Sequence, residues 1–296
     1  AIAAKFVMTV SNPANVGLGG GGVCMVHDAK IGVTEVLDFI PPAGSGPQTG
    51  RPTAVPTMAR GLLALHARYG RMDWRLLVSP AEQMARLGYR LSRAAAADLQ
   101  LAARPLFADP AMRTVFMAPD GQPYREGMKL RQLDLAGILG RIRSRGVGVL
   151  YNGTVARQIV EATAEAGGSL TLEDLRDYRP EWQATVVVPY GDDQIHFTQP
   201  PANAGLLMAQ AWSMLEDEDR YEDTPADARS HLLLEAIKRA YAQRSSYLDS
   251  QLSYTGGDLQ KLATPAVAEA LMRSYDSARA TPGSQLTGNQ IVMENP

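Results

Sequence analysis

One cysteine, Cys24, stands among 296 residues. A disulfide within the chain is therefore impossible, and a zinc cluster is not expected. Four histidines, His27, His66, His196 and His231, are scattered along the sequence. No two of them have metal-ligand spacing and none lies beside an obvious nucleophile, so neither a metal site nor histidine-based catalysis is expected. Charge of one sign is also lacking: 29 basic residues face 31 acidic ones, for a net charge of −2. With no basic stripe, a nucleic-acid partner is not expected. No apolar run approaches the roughly 20 residues of a membrane span, so no membrane-crossing segment is expected. The apolar stretch 1–10 is short and has neither a charged leading region nor a small-residue cleavage site, so it is not read as a signal peptide. The compartment is left open, cytoplasmic or periplasmic and secreted alike.

What is present is ample apolar material: 45% of the residues are hydrophobic, enough for one large domain or two small ones, and we expect a single domain over 1–296. The N-terminal third is rich in glycine and proline. Phe6–Val10 reads as a buried strand, and Val23–His27 with Val33–Phe39 as a hairpin around a turn at 28–32. Segment 40–56 reads as an irregular loop. Helices are expected over Thr57–Tyr69, Trp74–Leu87, Gln132–Arg145 and Thr154–Ala166, each stopped by glycine. Thr171 with Asp174 three residues on has the form of a capping box. Val186–Tyr190 and Gln194–Thr198 read as short strands around the turn 191–193. Gly205–Leu215 and Pro225–Leu248 read as amphipathic helices, the second capped by Thr224. The tail after Tyr275 is polar and reads as loop.

Several patterns suggest chemistry and have plainer readings. Gly17-Leu18-Gly19-Gly20-Gly21-Gly22 satisfies G-x-G-x-x-G, and Asp38 follows about 20 residues later, as in a dinucleotide fold. That turn must open a helix to face a pyrophosphate, whereas Val23–Phe39 alternates like a hairpin. The glycines then serve a tight bend or close packing. Cys24, with apolar neighbours, reads as a small buried residue rather than a nucleophile. The acidic run Glu216–Asp219 reads as a solvated helix end, and Asn152-Gly153-Thr154 matches a glycosylation sequon only as a short pattern. No catalytic constellation and no cofactor-binding motif is expected within the chain.

An ordered set of segments resembles the large subunit of γ-glutamyltransferases. Ala1–Ala4, Ser11-Asn12-Pro13 and Gly17–Gly22 resemble the family's apolar opening and glycine loop, and Leu37-Asp38-Phe39 its next hairpin. Val55-Pro56-Thr57-Met58-Ala59-Arg60-Gly61-Leu62 with Tyr69-Gly70 is similar to V-P-G-x-x-x-G-L…Y-G, and Ala85-Arg86-Leu87-Gly88-Tyr89 to A-x-x-G-[FY]. Tyr151-Asn152-Gly153 through Ala156, Gly167-Gly168 and Asp174-Leu175…Tyr178 resemble Y-x-G-x-x-A…G-G…D-L…Y. Pro200–Gly205 resembles P-P-S-S-G, and Tyr241–Leu248 resembles Y-A-D-R-S-x-Y-L.

The resemblance implies an α+β fold: one half of a four-layer αββα N-terminal-nucleophile (Ntn) hydrolase sandwich, completed by a small subunit cut from the same precursor. It puts the processing site at Pro296. It implies no catalytic residue in this chain, because the nucleophile is the new N-terminal threonine of the small subunit, with its own α-amine as base. Asp38, Phe39 and Ile40 are then expected to line the pocket for a small acyl or amide substrate; the plain alternative is that they merely end a strand. Family members continue this segment as D-F-R-E, with an arginine that clamps the α-carboxylate of a γ-glutamyl group. Here Ile40 stands at that place, and an aliphatic side chain cannot supply a fork of N–H donors. Arg51 or Arg60 could replace it. Three readings follow: an acyl hydrolase or transferase of altered specificity, including the amide- and C–C-cleaving enzymes of biosynthetic pathways; a true γ-glutamyltransferase; and an inactive scaffold.

Overall fold

Helix α1 covers Ile2–Ser11, where the apolar run over Phe6–Val10 had suggested a strand. The correction has a plain cause. Ile2, Phe6, Thr9 and Val10 are the buried residues, and their spacing of four, three and one marks one face of a helix. In this computed structural model, which describes residues 1–47, 52–202, 204–249 and 254–286, the chain forms two compact units. The first comprises Ala1–Gly22 and Phe39–Glu181, the second Val23–Asp38 and the chain from Trp182 onward.

In the first unit α1 packs on α3 (Trp74–Leu87), which packs on α6 (Leu133–Arg145). The Phe6 and Trp74 rings meet edge to face at 5.5 Å, and Glu82 of α3 accepts from Arg143 of α6 at 2.6 Å. The last turn of α1 is satisfied from outside: the Val10 carbonyl accepts from Tyr89 Oη at 2.7 Å and from Gln132 Nε2 at 2.8 Å. Glycines stop the helices as expected; Gly88 and Gly146 follow α3 and α6 at φ +83° and +82°, values that favour a residue without Cβ. Helix α2 (Met58–Tyr69), α7 (Gly153–Glu165) and α8 (Leu172–Asp177) complete the expected set. The Thr171–Asp174 capping box at α8 is present in full. Two helices lie where no element was expected, α4 (Arg93–Leu106) and α5 (Pro110–Phe116). Ser92 caps α4 by accepting from Ala95 N at 3.2 Å. Short strands β3 (Tyr89–Arg90) and β4 (Lys129–Leu130) pair antiparallel beside them.

In the second unit, strands β1 (Gly22–Asp28) and β2 (Val33–Phe39) form the expected hairpin and join β5 (Glu181–Ala184) in the order β1-β2-β5. Val23 and Met25 of β1 are each 40% exposed. Strands β6 (Val186–Tyr190) and β7 (Asp193–Phe197) pair antiparallel, with Val186 opposite Phe197 and Tyr190 opposite Asp193. Their inner residues Val186, Val188 and Phe197 pack with Leu206 and Ala209 of α9 (Ala204–Glu216) and with Leu259 and Leu262. Helix α10 (Arg220–Asp223) leads to α11 (Arg229–Gln243) and, later, α12 (Pro265–Met272), which the sequence reading did not mark. Thr224 does not cap α11. Its hydroxyl donates to the Arg220 carbonyl at 2.7 Å and closes α10. Residues 225–228 turn back on themselves before α11 begins. Helix α11 carries a buried ionic group: Arg239 donates to Glu235, to the Leu271 carbonyl at 3.0 Å and to Thr281 Oγ1 at 3.0 Å. Lys238 reaches Glu235 at 2.6 Å.

Candidate functional site

The segment 38–40 leaves β2 and enters a tight junction built from three parts of the first unit. Phe39 is buried, while Ile40, just past the strand, is half-buried. The Phe39 carbonyl accepts a hydrogen bond from the Thr57 hydroxyl. Thr57 is 0% exposed and stands at the start of α2. The Gly20 carbonyl accepts from the backbone N–H groups of Thr57 at 3.1 Å and Met58 at 2.9 Å, so the glycine loop satisfies donors that a helix start leaves open. Space here is too small for side chains. A Cβ on Gly21 would lie 2.1 Å from Thr57 Oγ1 and 2.2 Å from the Phe39 carbonyl oxygen; one on Gly61 would lie 2.3 Å from the Phe39 ring. The glycines therefore serve close backbone approach, and β1 rather than a helix follows them, as the hairpin reading required. Phe39 is the plug of this junction. Asp38 precedes it and is half-buried.

Arg60 is engaged elsewhere. Its guanidinium donates to the carbonyls of Tyr178 and, at 3.1 Å, Arg176, and lies 4.0 Å from the centroid of the Tyr151 ring. Burial pulls its pKa down, and burial pushes the Tyr151 hydroxyl up to about 12. These bonds fasten the end of α8 to α2 and direct the guanidinium to main-chain oxygens. Arg51, the other arginine considered, and Pro296, the expected processing site, lie outside the described residues.

The histidines hold local structure. His27 Nδ1 lies 2.9 Å from Thr34 Oγ1 across the β1–β2 hairpin, and His196 Nδ1 lies 2.7 Å from Thr185 Oγ1. His66 Nε2 donates to the Met72 carbonyl at 2.7 Å, and His231 Nε2 to that of Asp276 at 3.0 Å. Among the described residues no group of His, Cys, Asp and Glu could hold a metal ion. Cys24 is half-buried rather than buried, on the inner face of a strand whose alternate residues Val23 and Met25 are exposed; burial still raises its thiol pKa. No helix among the described residues is long and apolar enough to cross a membrane.

A glycine turn locked to a helix start, a hairpin feeding it and a capping box on α8 are the features that carried the sequence resemblance. The family model of gamma-glutamyltranspeptidase matches residues 1–294. The chain belongs to the γ-glutamyltranspeptidase family. It is 28% identical over 312 residues to the glutathione hydrolase proenzyme of Escherichia coli (strain K12), an alignment that takes in 99% of this chain and 53% of the relative. The chain thus spans about half the length of the curated relatives it matches. Against the γ-glutamyltranspeptidase of Helicobacter pylori it superposes with a TM-score of 0.89 at 27% identity, covering 100% of this chain and 89% of that one. A cephalosporin acylase from Bacillus halodurans shares the fold, with a TM-score of 0.78 at 24% identity over 93% of this chain and 55% of that one. The α+β fold of an Ntn-hydrolase half-sandwich, expected from the sequence, is the fold of this family member.

Proposed function

We propose that this chain is the large subunit of a self-cleaving acyl hydrolase or transferase whose acyl pocket is not built for a γ-glutamyl α-carboxylate. The observation that carries the specificity part is Ile40. It follows Asp38 and Phe39 where the family resemblance puts an arginine, and Arg60 has its guanidinium on the Tyr178 and Arg176 carbonyls. A carboxylate placed against Ile40 would lose water and gain no donor, a cost on the order of a charge-assisted hydrogen bond, about 1.5–3 kcal/mol. Phe39 fixes the strand end, so that the segment 38–40 forms one wall of the pocket, with Ile40 as its apolar element.

In this reading the chemistry comes from the small subunit. Its N-terminal threonine hydroxyl attacks the substrate carbonyl, the α-amine takes the proton and returns it to the leaving group, and water or an amine releases the acyl group. The large subunit contributes binding and shape. The likeness in fold to a cephalosporin acylase supports a pocket open to other acyl groups. The second reading, a true γ-glutamyltransferase, is favoured by the glutathione hydrolase names of the relatives; the third is an uncut scaffold on the same fold.

The deciding experiment expresses the full gene and determines intact masses and N-terminal sequences of all copurifying chains. We expect a second polypeptide that begins with threonine. The matured protein is then assayed on γ-glutamyl and non-glutamyl anilides. Non-glutamyl amides should be preferred, and Ile40→Arg should raise kcat/KM for the γ-glutamyl anilide by about tenfold or more. Turnover of the γ-glutamyl anilide that rivals the others in the unaltered protein would favour the second reading, and an uncut precursor the third.

A further inference from the structure

Ile40 opens a ribbon that folds back on itself before α2. The Val55 N–H donates to the Pro42 carbonyl at 2.9 Å, and the Gly44 N–H donates to the Thr53 carbonyl at 2.7 Å. Ala43 and Ala54 face each other between these bonds as an antiparallel bridge. The returning arm runs into Thr57, whose hydroxyl holds the Phe39 carbonyl. Ile40 is therefore set from two sides, by the junction behind it and by the ribbon ahead. Pro41 and Pro42 join it to the ribbon, and each ring fixes one φ angle. A shift of residues 44–46 is then passed back to Ile40 with little to absorb it on the way.

The ribbon lies against the turn 168–174, which leads into α8. The Gly46 N–H donates to the Ser169 carbonyl at 2.7 Å, and the Ser169 N–H donates to Thr53 Oγ1 at 3.2 Å. The two backbones approach too closely for side chains. A Cβ on Gly44 would lie 2.7 Å from the Ser169 carbonyl oxygen, one on Gly46 2.5 Å from it, and one on Gly168 2.1 Å from Thr53 Oγ1. One carboxylate closes the contact. Asp174 Oδ2 accepts from the Thr171 N–H at 2.9 Å, as the capping box of α8 requires. The same oxygen accepts from the Ser45 N–H at 3.0 Å, from a residue 129 positions away in the sequence. Burial pushes the Asp174 carboxyl up, and the hydrogen bonds from Ser45 and Thr171 outweigh it and pull its pKa down. The bond to Ser45 is no part of a helix cap.

We propose that Asp174 is a positioning residue for the acyl pocket: it holds Ser45, Ser45 sets the ribbon, and the ribbon sets Ile40. Asp174 itself touches no substrate. The proposal rests on the reading of Ile40 as the apolar element of the pocket wall, and it makes the start of α8 part of what fixes specificity.

The test measures KM and kcat of the matured protein from the full gene with the butyryl and γ-glutamyl anilides. For the anilide turned over faster, Asp174→Ala should raise KM by about fivefold or more and leave kcat within about twofold, because a displaced wall weakens ground and transition state alike. Asp174→Asn keeps an oxygen acceptor and should restore most of the loss. Thr171→Val breaks the other bond of the box, from the Asp174 N–H to Thr171 Oγ1 at 3.1 Å, and leaves the Ser45 bond in place. A mere cap would give both variants the same effect, whereas here KM of Thr171→Val should stay within about twofold. Gly46→Ala pushes the ribbon off from the other side and should raise KM in the same way, which serves if Asp174→Ala does not fold. On an Ile40→Ala background, Asp174→Ala should add little, because both act through one side chain. Equal rises in Thr171→Val and Asp174→Ala, or full additivity with Ile40→Ala, would overturn the assignment. A raised KM in Ile40→Ala with none in Asp174→Ala would remove the assignment alone; an unchanged KM in Ile40→Ala would remove the pocket-wall reading and the assignment with it.

Discussion

Thr57 shows how much one hydroxyl can hold. It is fully buried, its backbone N–H reaches Gly20, and its side chain satisfies the carbonyl that ends β2. Valine has the same shape and no donor. Thr57→Val therefore leaves the Phe39 carbonyl buried and unpaired, at a cost of about 1–3 kcal/mol. Thermal melts should show a clear drop for Thr57→Val and a much smaller one for Thr57→Ser, which keeps the donor. Equal drops would mean that the methyl group, not the hydroxyl, stabilises the junction. Ile40, one residue beyond Phe39, stood out in the sequence as a departure from the pattern it resembles. The hydroxyl lock did not, since Thr57 in a string of segments looks like any helix-flanking threonine.

At the level of elements, α11 is held by charge as well as by apolar packing. Glu235 and Arg239 lie one turn apart and are each about 1% exposed. Burial pushes the Glu235 carboxyl up, but hydrogen bonds from Lys238, Thr281 and Arg239 outweigh it and hold the pKa down at about 2 against an ordinary value of 4.5. A carboxyl depressed on folding adds stability that is complete above the ordinary value and is lost as pH falls toward the folded one. Melting temperature should thus fall between about pH 4.5 and 2, and Glu235→Gln should flatten that part of the profile while lowering stability at neutral pH. An unchanged profile would remove Glu235 from the account. The sequence showed the helix but neither this pairing nor its start: Thr224 has the form of a cap and closes the preceding turn instead. Periodicity found the helices with wide apolar faces and glycine stops. It passed over α4, whose buried face is Ala95, Ala96 and Leu99, and α12, which is only eight residues long. At α1 the short apolar run Phe6–Val10 reads as a buried strand, while its buried residues follow the helical period.

For the molecule as a whole, composition set the outer limits. One cysteine excludes a disulfide within the chain, and balanced charge gives no sign of a nucleic-acid partner. The family became legible only through the order of many short segments, because no single one was specific. What lay beyond reading was geometry: where Arg60 spends its guanidinium, and which distant segment the capping carboxylate of Asp174 also holds.

Strand β1 carries a consequence for handling the chain. It is an outer strand of the β1-β2-β5 sheet among the described residues, and Val23 and Met25 on it are exposed. Such an edge offers open hydrogen-bonding groups beside apolar side chains, a template for pairing between molecules. Produced alone and concentrated, the chain should therefore associate with itself, with light scattering that rises steeply with concentration. Val23→Lys with Met25→Lys should suppress that scattering without altering the melting temperature of dilute samples. If the scattering persists in the double variant, the sticky surface is elsewhere. The same edge bears on production: the longer this strand stays unpaired while the chain folds, the more chances it has to pair with a second molecule.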